Sequence, residues 1–208
     1  MINSSLKSTR KLKTLAVFDF DGTLTNRDSL NDFLLWRYGP IKFFSVYLII
    51  SPILFLYLLG CIKNITIKKI QIYFFLKESS MDSFLNDCED YAKSRLKEII
   101  RPEAIGVIKQ HAKKGHELII ISATYPFWIK HWAVQYDFSH VLGTRIKAKE
   151  GKINCKSLKE VCVGIEKVNR LMDIYPNLSQ YEIYAYGDSY GDKHIMNMAT
   201  HSYYKSFK

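Results

Sequence analysis

Two aspartates stand one residue apart directly after a short apolar run. The run covers residues 15–18, and residues 19–23 follow it with the sequence Asp-Phe-Asp-Gly-Thr. In a parallel α/β sheet, such a strand presents ligand-binding side chains just beyond its carboxyl end. The carboxylates of Asp19 and Asp21 repel one another unless a cation lies between them, and an ionised Asp beside that cation can act as a nucleophile. Taken alone, the pair fits a polar turn after a strand equally well.

The residues around and beyond this pair suit the binding of an anion. Gly22 permits the backbone conformation of a tight loop, and Thr23 offers a hydroxyl and an amide to bound oxygens. Further polar residues come where predicted strands end or predicted helices begin: Ser122 after strand 117–121, Lys167 in Gly-Ile-Glu-Lys, and Asp188 and Asp192 after strand 181–186. Each of these also has an ordinary interpretation, as a turn residue, a solvated helix residue or a helix N-cap.

Taken together and in this order, the four segments resemble the four motifs of the haloacid dehalogenase superfamily. The resemblance runs from the first strand almost to the C-terminus, so it covers nearly the whole chain. It implies that Asp19 attacks phosphorus and forms an aspartyl-phosphate intermediate. Asp21 would protonate the leaving oxygen and later take a proton from the attacking water. An Asp at this second position resembles the phosphatases and phosphotransferases of the superfamily rather than its dehalogenases.

The same resemblance implies how the phosphoryl group is bound. Ser122 and Lys167 would hold the phosphoryl oxygens, and Gly22 and Thr23 would complete the phosphate-binding loop. A lysine at this place is a point charge that suits negative charge spread over several oxygens.

A bound Mg²⁺ is the cofactor that the resemblance implies, because this ion prefers oxygen ligands. The ligands would be the Asp19 carboxylate, the Asp21 backbone carbonyl and the Asp188 carboxylate. Asp192, one helical turn beyond Asp188, would be either a further ligand or a residue that orients the ligands.

The composition is typical of a globular cytosolic protein with anionic partners. The 208 residues are 48% hydrophobic and 24% charged, which excludes wholesale disorder, and the formal net charge is +10. This charge favours a phosphorylated substrate and an anionic membrane surface as partners. No nucleic acid is expected, since no nucleic-acid-binding module is recognisable. The four cysteines fit reduced thiols, and the first thirteen residues are too polar for a signal peptide. We therefore expect a cytoplasmic catalytic core.

The predicted fold class is α/β, with a Rossmann-like core, a parallel sheet and an all-helical insertion. Residues 1–28 and 100–208 form the predicted catalytic core, and residues 29–99 form the insertion. The other predicted core elements are helices at 126–136, 164–174 and from 191, a hairpin at 144–155 and an edge strand at 201–204. In the superfamily a helical insertion at this point is a C1-type cap, and it resembles subfamily IB, the phosphoserine phosphatase-like branch.

Asp28 is a candidate for contact with the substrate. It stands where enzymes of that branch carry an acidic cap residue near the substrate. The alternative is that Asp28 simply caps the helix that begins at Ser29.

An uncharged apolar run, residues 43–62, lies within the predicted cap. As one helix it would extend roughly 30 Å, the thickness of a bilayer core. A single crossing would put Asp19 and Asp21 on the opposite side of the membrane from the later motifs. Two interpretations remain. Either Pro52 breaks the run into two half-helices that enter one leaflet, or the run packs wholly inside a soluble cap.

We favour insertion into one leaflet, because a helix covered on one side should show a polar face and this run shows none. The flanking cations could each add about 1 kcal/mol near an anionic surface: Arg37, Lys42, Lys63, Lys68 and Lys69. The protein would then be peripheral or monotopic at the inner face of the cell membrane.

The expected function is that of a Mg²⁺-dependent phosphomonoester hydrolase acting on a membrane-associated or lipid phosphate. A helical cap with such a run resembles the phosphatidylglycerophosphatase C type of the superfamily. Three alternatives stay open: a soluble small-metabolite phosphatase similar to phosphoserine phosphatase, a phosphotransferase, and a non-enzymatic protein that binds membranes or nucleic acid.

Overall fold

The computed structural model describes residues 12–77 and 79–207. The first eleven residues, which belong to the polar N-terminal segment and to the predicted core, lie outside the described residues.

Five parallel strands form the central sheet, and a separate hairpin lies beside it. The strands are β1 Lys13–Phe18, β2 Glu117–Ile121, β3 His140–Leu142, β4 Lys147–Lys149, β5 Lys152–Asn154, β6 Tyr181–Gly187 and β7 His201–Tyr204. The sheet order is β3-β2-β1-β6-β7, and β4 pairs with β5 in the antiparallel hairpin. Phe18 at the end of β1 is in register with Ile120 of β2 and Tyr186 of β6, so these three strands end at one edge. The predicted α/β fold class with a parallel sheet is confirmed.

The described part of the chain contains seven α-helices besides this sheet. They are α1 Ser29–Leu58, α2 Asn64–Leu76, α3 Met81–Ser94, α4 Pro102–Lys113, α5 Pro126–Ala133, α6 Ile165–Met172 and α7 Lys193–Met198. Helices α1, α2 and α3 follow one another between β1 and α4. The division of the chain into a core (1–28, 100–208) and an insertion (29–99) stays a prediction.

Alternate residues of β1 face two different hydrophobic cores. Ala16 and Phe18 pack in a larger core with side chains from α1 to α5, whereas Leu15 and Val17 pack in a smaller core with α6 and α7. This alternation follows from the two-residue period of a strand. Because both faces of β1 are covered, the strand is rigidly held and its carboxyl end is fixed in space.

Helix α1 breaks at Gly39, not at Pro52 as the sequence predicts. Gly39 has φ +75° and ψ 167°, a conformation that glycine adopts without steric cost. The helix continues through Pro52, whose ring removes the amide that would bond the carbonyl of Leu48. The hydroxyl of Ser51 donates to that carbonyl at 2.8 Å, so the acceptor is satisfied and the helix persists.

The apolar part of α1 buries only one stripe of side chains. Val46 and Ile50 are buried, and Phe43, Tyr47 and Leu54 pack partly against the same core. The opposite face exposes large apolar side chains: Ile41, Phe44, Leu48, Ile49, Phe55, Leu56 and Leu58. We call this set the outer face of α1. Complete burial of residues 43–62 inside the cap, the second interpretation above, is therefore wrong. By length and composition alone, α1 could cross a membrane.

Two of the five cations predicted to flank the apolar run are not available to a surface. Arg37 pairs with Asp87 at 2.6 Å and its side chain is largely buried. Lys68 is 8% exposed, because it lies on the side of α2 that carries the buried residue Ile72. Lys42 and Lys63 remain exposed at the two ends of the run.

Candidate active site

Asp19 lies at the carboxyl end of β1, between a lysine and a threonine. Lys167 of α6 donates through Nζ to Asp19 Oδ1 at 2.5 Å, and the Thr23 hydroxyl donates to Oδ2 at 3.3 Å. Asp19 is 8% exposed. Burial raises the pKa of Asp19 to about 6, while the Lys167 ammonium opposes that rise. The carboxylate is therefore mainly ionised at neutral pH.

Lys167 joins the first motif to the last. Its ammonium also donates to Asp192 Oδ1 at 2.5 Å, so one buried cation lies between two carboxylates. Burial acts to lower the pKa of Lys167, but Asp19 and Asp192 outweigh it and raise that pKa above its ordinary value. The lysine is thus a permanent positive charge in the centre of the site.

Asp192 is fully occupied by hydrogen bonds. Its Oδ2 accepts from the Asp188 amide at 3.2 Å, the Ser189 amide at 3.0 Å and the Ser189 hydroxyl at 2.7 Å. Burial acts to raise the pKa of Asp192, but Lys167 and the Ser189 donors hold it below its ordinary value. With both carboxylate oxygens engaged by donors, Asp192 is suited to orient Asp188 and Lys167, the second of its two predicted roles.

Gly22 lets the two acidic loops approach closely. It has φ +83°, and a Cβ at this position would lie 2.5 Å from Asp188 Oδ2. The Gly22 amide donates to the Thr25 hydroxyl at 3.1 Å. Gly22 therefore has a steric contribution, and the phosphate-binding role predicted for it stays a prediction. Thr23 extends from the same loop and its hydroxyl lies 3.5 Å from Asp188 Oδ1.

Three carboxylates gather at this edge of the sheet. Oxygen atoms of Asp19, Asp188 and Asp192 all lie within 4.8 Å of one another. A donor set made only of oxygens suits Mg²⁺ and does not suit a softer metal. Asp192 accepts four hydrogen bonds and Asp19 accepts two from the described residues, so the residues that fit the ion best are Asp19 and Asp188, with the Asp21 carbonyl that the family resemblance adds.

Asp21 differs from Asp19 in its surroundings. Its Oδ1 accepts from the Ser29 amide at 2.7 Å, at the start of α1. Burial raises the pKa of Asp21 to about 7, the charge of Asp28 adds to the rise, and the Ser29 hydrogen bonds oppose it. Near neutral pH this carboxyl therefore holds a proton in a large fraction of molecules, as a general acid must.

Ser122 and Asp28 come directly after β2 and directly before α1, respectively. Ser122 follows β2, is fully buried, and its hydroxyl accepts from the Thr124 amide at 3.1 Å. Asp28 caps α1, since its carboxylate accepts from the Asn31 amide at 2.8 Å. Asp28 is thus a helix cap, and its charge also acts on Asp21, while its contact with a substrate stays a prediction.

Lys68 is the residue at the site that the sequence does not reveal. Burial lowers the pKa of this lysine, and the charges of Asp28 and Asp21 oppose that shift. Its ammonium lies 5.6 Å from the centroid of the Tyr125 ring. Tyr125 follows Ser122 by three residues in the sequence. In the sequence it resembles Lys69, a solvated neighbour. The usable signal is helical spacing, since Lys68 and the buried Ile72 are four residues apart on α2.

The sequence of the chain matches the family of haloacid dehalogenase-like hydrolases over residues 16–197. This range contains every motif residue described above. The chain belongs to this family. Among characterised sequences, this hydrolase is similar to protein CicA of Caulobacter vibrioides, with 31% identity over 93% of this chain and 86% of that protein.

Solved structures show the same fold for this haloacid dehalogenase-like hydrolase. A protein of unknown function from Bordetella pertussis Tohama I matches with a TM-score of 0.80 and 20% identity, over 92% of this chain and 89% of that one. A phosphoserine phosphatase determined as a phospho-aspartyl intermediate analogue matches with a TM-score of 0.60 and 19% identity, over 92% of this chain and 86% of that one. At these identities the likeness concerns the fold.

Proposed function

We propose that the protein is a Mg²⁺-dependent phosphomonoester hydrolase of the phosphoserine phosphatase-like branch, subfamily IB. The observation that carries this proposal is the position of Asp19. It is an ionised carboxylate at the end of a rigid strand, held by the buried ammonium of Lys167 and facing Asp188 across a gap of a few ångströms.

The proposed reaction has two steps, in which Asp19 is the nucleophile and Asp21 transfers the protons. Asp19 Oδ attacks phosphorus and forms an aspartyl phosphate, while Asp21 gives its proton to the leaving oxygen. Asp21, now ionised, then takes a proton from the water that attacks the aspartyl phosphate, which releases phosphate and restores Asp19. Lys167 and Ser122 hold the phosphoryl oxygens in both steps. A bound Mg²⁺ supplies positive charge that offsets the repulsion between the carboxylate and the phosphate.

The test is turnover by the purified full chain with and without Asp19→Asn. We expect Mg²⁺-dependent phosphate release from a panel of water-soluble and lipid phosphomonoesters, inhibition by EDTA and recovery on addition of Mg²⁺. Asp19→Asn should release no phosphate above the buffer control, because an amide is a poor nucleophile. Activity of the variant near that of the wild type would contradict the proposal.

The substrate class that we propose is a membrane-associated or lipid phosphate, of the phosphatidylglycerophosphate kind. This is supported by the outer face of α1, where exposed apolar side chains such as Leu48, which is 76% exposed, would contact lipid. Exposed Lys42 and Lys63 at the ends of the run fit an anionic surface. The residues proposed for catalysis come from both sides of α1 in the sequence, which supports association with one face of the membrane, the cytoplasmic face, over a span.

Two alternatives are tested by the same panel. A water-soluble small-metabolite phosphatase similar to phosphoserine phosphatase would turn over soluble esters at least as well as lipid esters. A phosphotransferase would pass the phosphoryl group from Asp19 to an added alcohol in preference to water.

A further inference from the structure

A buried tyrosine hydroxyl without a hydrogen-bond partner lies in the segment after β2, beside a largely buried lysine of α2. The hydroxyl of Tyr125 has no partner among the described residues, although Tyr125 is only 1% exposed. Lys68 is 8% exposed and forms neither a hydrogen bond nor an ion pair within 4.0 Å with any described residue. Its ammonium lies over the Tyr125 ring, 5.6 Å from the ring centroid, so the two side chains are neighbours.

Such an arrangement costs free energy. A buried hydroxyl without a hydrogen bond and a buried ammonium that is incompletely paired both destabilise the folded protein. A hydrophobic residue of similar volume at position 68 would avoid the second cost. A bound ligand can instead satisfy both the hydroxyl and the ammonium, because each can donate a hydrogen bond to a ligand oxygen.

The position of Lys68 tells which part of a ligand it would meet. The charges of Asp21 and Asp28 both act on Lys68, so the lysine lies on the Asp21 side of the site. Asp21 is the residue that we propose to protonate the leaving oxygen. Lys167, which we propose to hold the phosphoryl group together with Ser122, lies on α6 and contacts Asp19 after the end of β1, and Ser122 follows β2. Lys68 and Tyr125 would therefore lie beside the leaving alcohol of a bound phosphomonoester.

We propose that the Lys68 ammonium and the Tyr125 hydroxyl bind a second, anionic oxygen group carried by the leaving alcohol. The preferred substrates are then phosphomonoesters whose alcohol bears a carboxylate or a phosphodiester close to the reacting oxygen. This inference rests on the proposed phosphatase function and narrows its substrate class.

The experiment compares esters that differ in this one group. Glycerol 3-phosphate and 3-phosphoglycerate share a three-carbon alcohol, but only the second carries a carboxylate on it. Phosphatidylglycerophosphate in detergent micelles carries a phosphodiester instead. We expect the wild type to show a higher kcat/KM on at least one of the two anionic esters than on glycerol 3-phosphate, and the preferred one identifies the anion.

Lys68→Met should reduce that preference by about tenfold or more, the size expected when a hydrogen bond between charged groups is lost. Tyr125→Phe, which removes only the hydroxyl, should reduce it by a smaller factor. The control is Lys69→Met on the same helix, where the lysine is exposed and the preference measured on the two soluble esters should not change.

A second measurement separates binding from a structural role. Lys68→Met should melt at the same temperature as the wild type or higher, since it removes a poorly paired buried charge. An equal loss of kcat/KM on all three esters, or a wild type that prefers glycerol 3-phosphate, would overturn the subsite and leave the phosphatase proposal intact. If the wild type hydrolyses none of the esters, both proposals fail.

Discussion

At the scale of single residues, two nearby carboxyls have different protonation tendencies. Burial raises the pKa of both Asp19 and Asp21, to about 6 and about 7, respectively. Lys167 restrains the rise at Asp19, whereas the charge of Asp28 adds to it at Asp21. When their surroundings give two carboxyls different pKa values, the group with the lower pKa suits the role of nucleophile and the group with the higher pKa suits that of general acid.

Asp28→Asn should move the basic limb of the pH–activity profile to lower pH. The negative charge of Asp28 disfavours ionisation of Asp21, so its removal lowers the pKa of Asp21. The asparagine can still cap α1, and the fold should be kept. The measurement is kcat/KM against pH on a soluble ester at saturating Mg²⁺. Asp82→Asn, which alters an exposed acid on the first turn of α3, is the control. A basic limb that stays in place or rises would refute the electrostatic link.

Asp21→Asn should stabilise the protein more at pH 8 than at pH 4. The pKa of Asp21 is about 7 in the folded state against an ordinary 3.8. As the pH rises between these values, the unfolded chain releases a proton that the folded state retains, so the free energy of unfolding falls. Asp21→Asn lacks this ionisation, so its free energy of unfolding should not fall for this reason. Thermal unfolding of both proteins across this pH range checks the sign, and a Tm difference that shrinks with rising pH would contradict it.

At the scale of the elements, the site depends on how closely the loops after β1 and β6 approach. Gly22 lies against the Asp188 carboxylate, and a Cβ on Gly187 would lie 2.7 Å from Asp192 Cβ. Both glycines sit where a strand gives way to a polar loop. Any side chain larger than hydrogen would push the acidic groups apart, which would alter the spacing of the oxygens that we propose to bind Mg²⁺.

Gly22→Ala should raise the Mg²⁺ concentration needed for half-maximal activity by about tenfold or more, because the methyl group displaces Asp188. A matched control is available in Gly115→Ala. Gly115 has φ +72°, but a Cβ on it would meet no atom within 4 Å, so it shares the backbone strain without the contact. The two variants should lose similar stability, of about 1–3 kcal/mol. A similar change of Mg²⁺ dependence in both would show that strain, and not contact with Asp188, is responsible.

At the scale of the whole molecule, α1 presents apolar surface on the side away from its core. The helix buries one stripe against the protein, yet the outer face is apolar too, where an ordinary amphipathic helix would be polar. Exposed apolar patches of this extent mark sites of contact with membranes or other proteins. The net charge of +10 makes an anionic lipid surface the better match.

The full chain should therefore co-sediment with vesicles that contain anionic phospholipids, and less so as salt is raised. Leu48→Glu, which places a charge on the outer face, should weaken this binding strongly. Val134→Glu is the matched control, because Val134 is equally exposed, at 77%, but lies after α5 and far from α1 in the sequence. Absence of vesicle binding at low salt, or equal loss in both variants, would argue against membrane association.

Much of the site could be predicted from the sequence because parallel strands end at one edge. Asp19, Ser122 and Asp188 each follow an apolar strand, so the fold class alone brings them to that edge. Their chemical types, with Lys167, indicate a phosphoryl group and a divalent cation. The parallel sheet, the hairpin and the edge strand could be predicted for a similar reason, since they follow from local apolar patterns and turn residues.

The packing of helices and strands against one another determines features that the local sequence pattern does not predict. Lys68 and Lys69 are adjacent and chemically identical, and only the orientation of α2 buries one of them beside Asp21 while the other stays in solvent. The bend of α1 falls at Gly39, and the helix continues through Pro52, where the Ser51 hydroxyl satisfies the carbonyl that the proline leaves open. The pKa values of Asp19 and Asp21 likewise depend on burial and on charges distant in the sequence. These properties arise from contacts between elements, which the order of residues along one element does not contain.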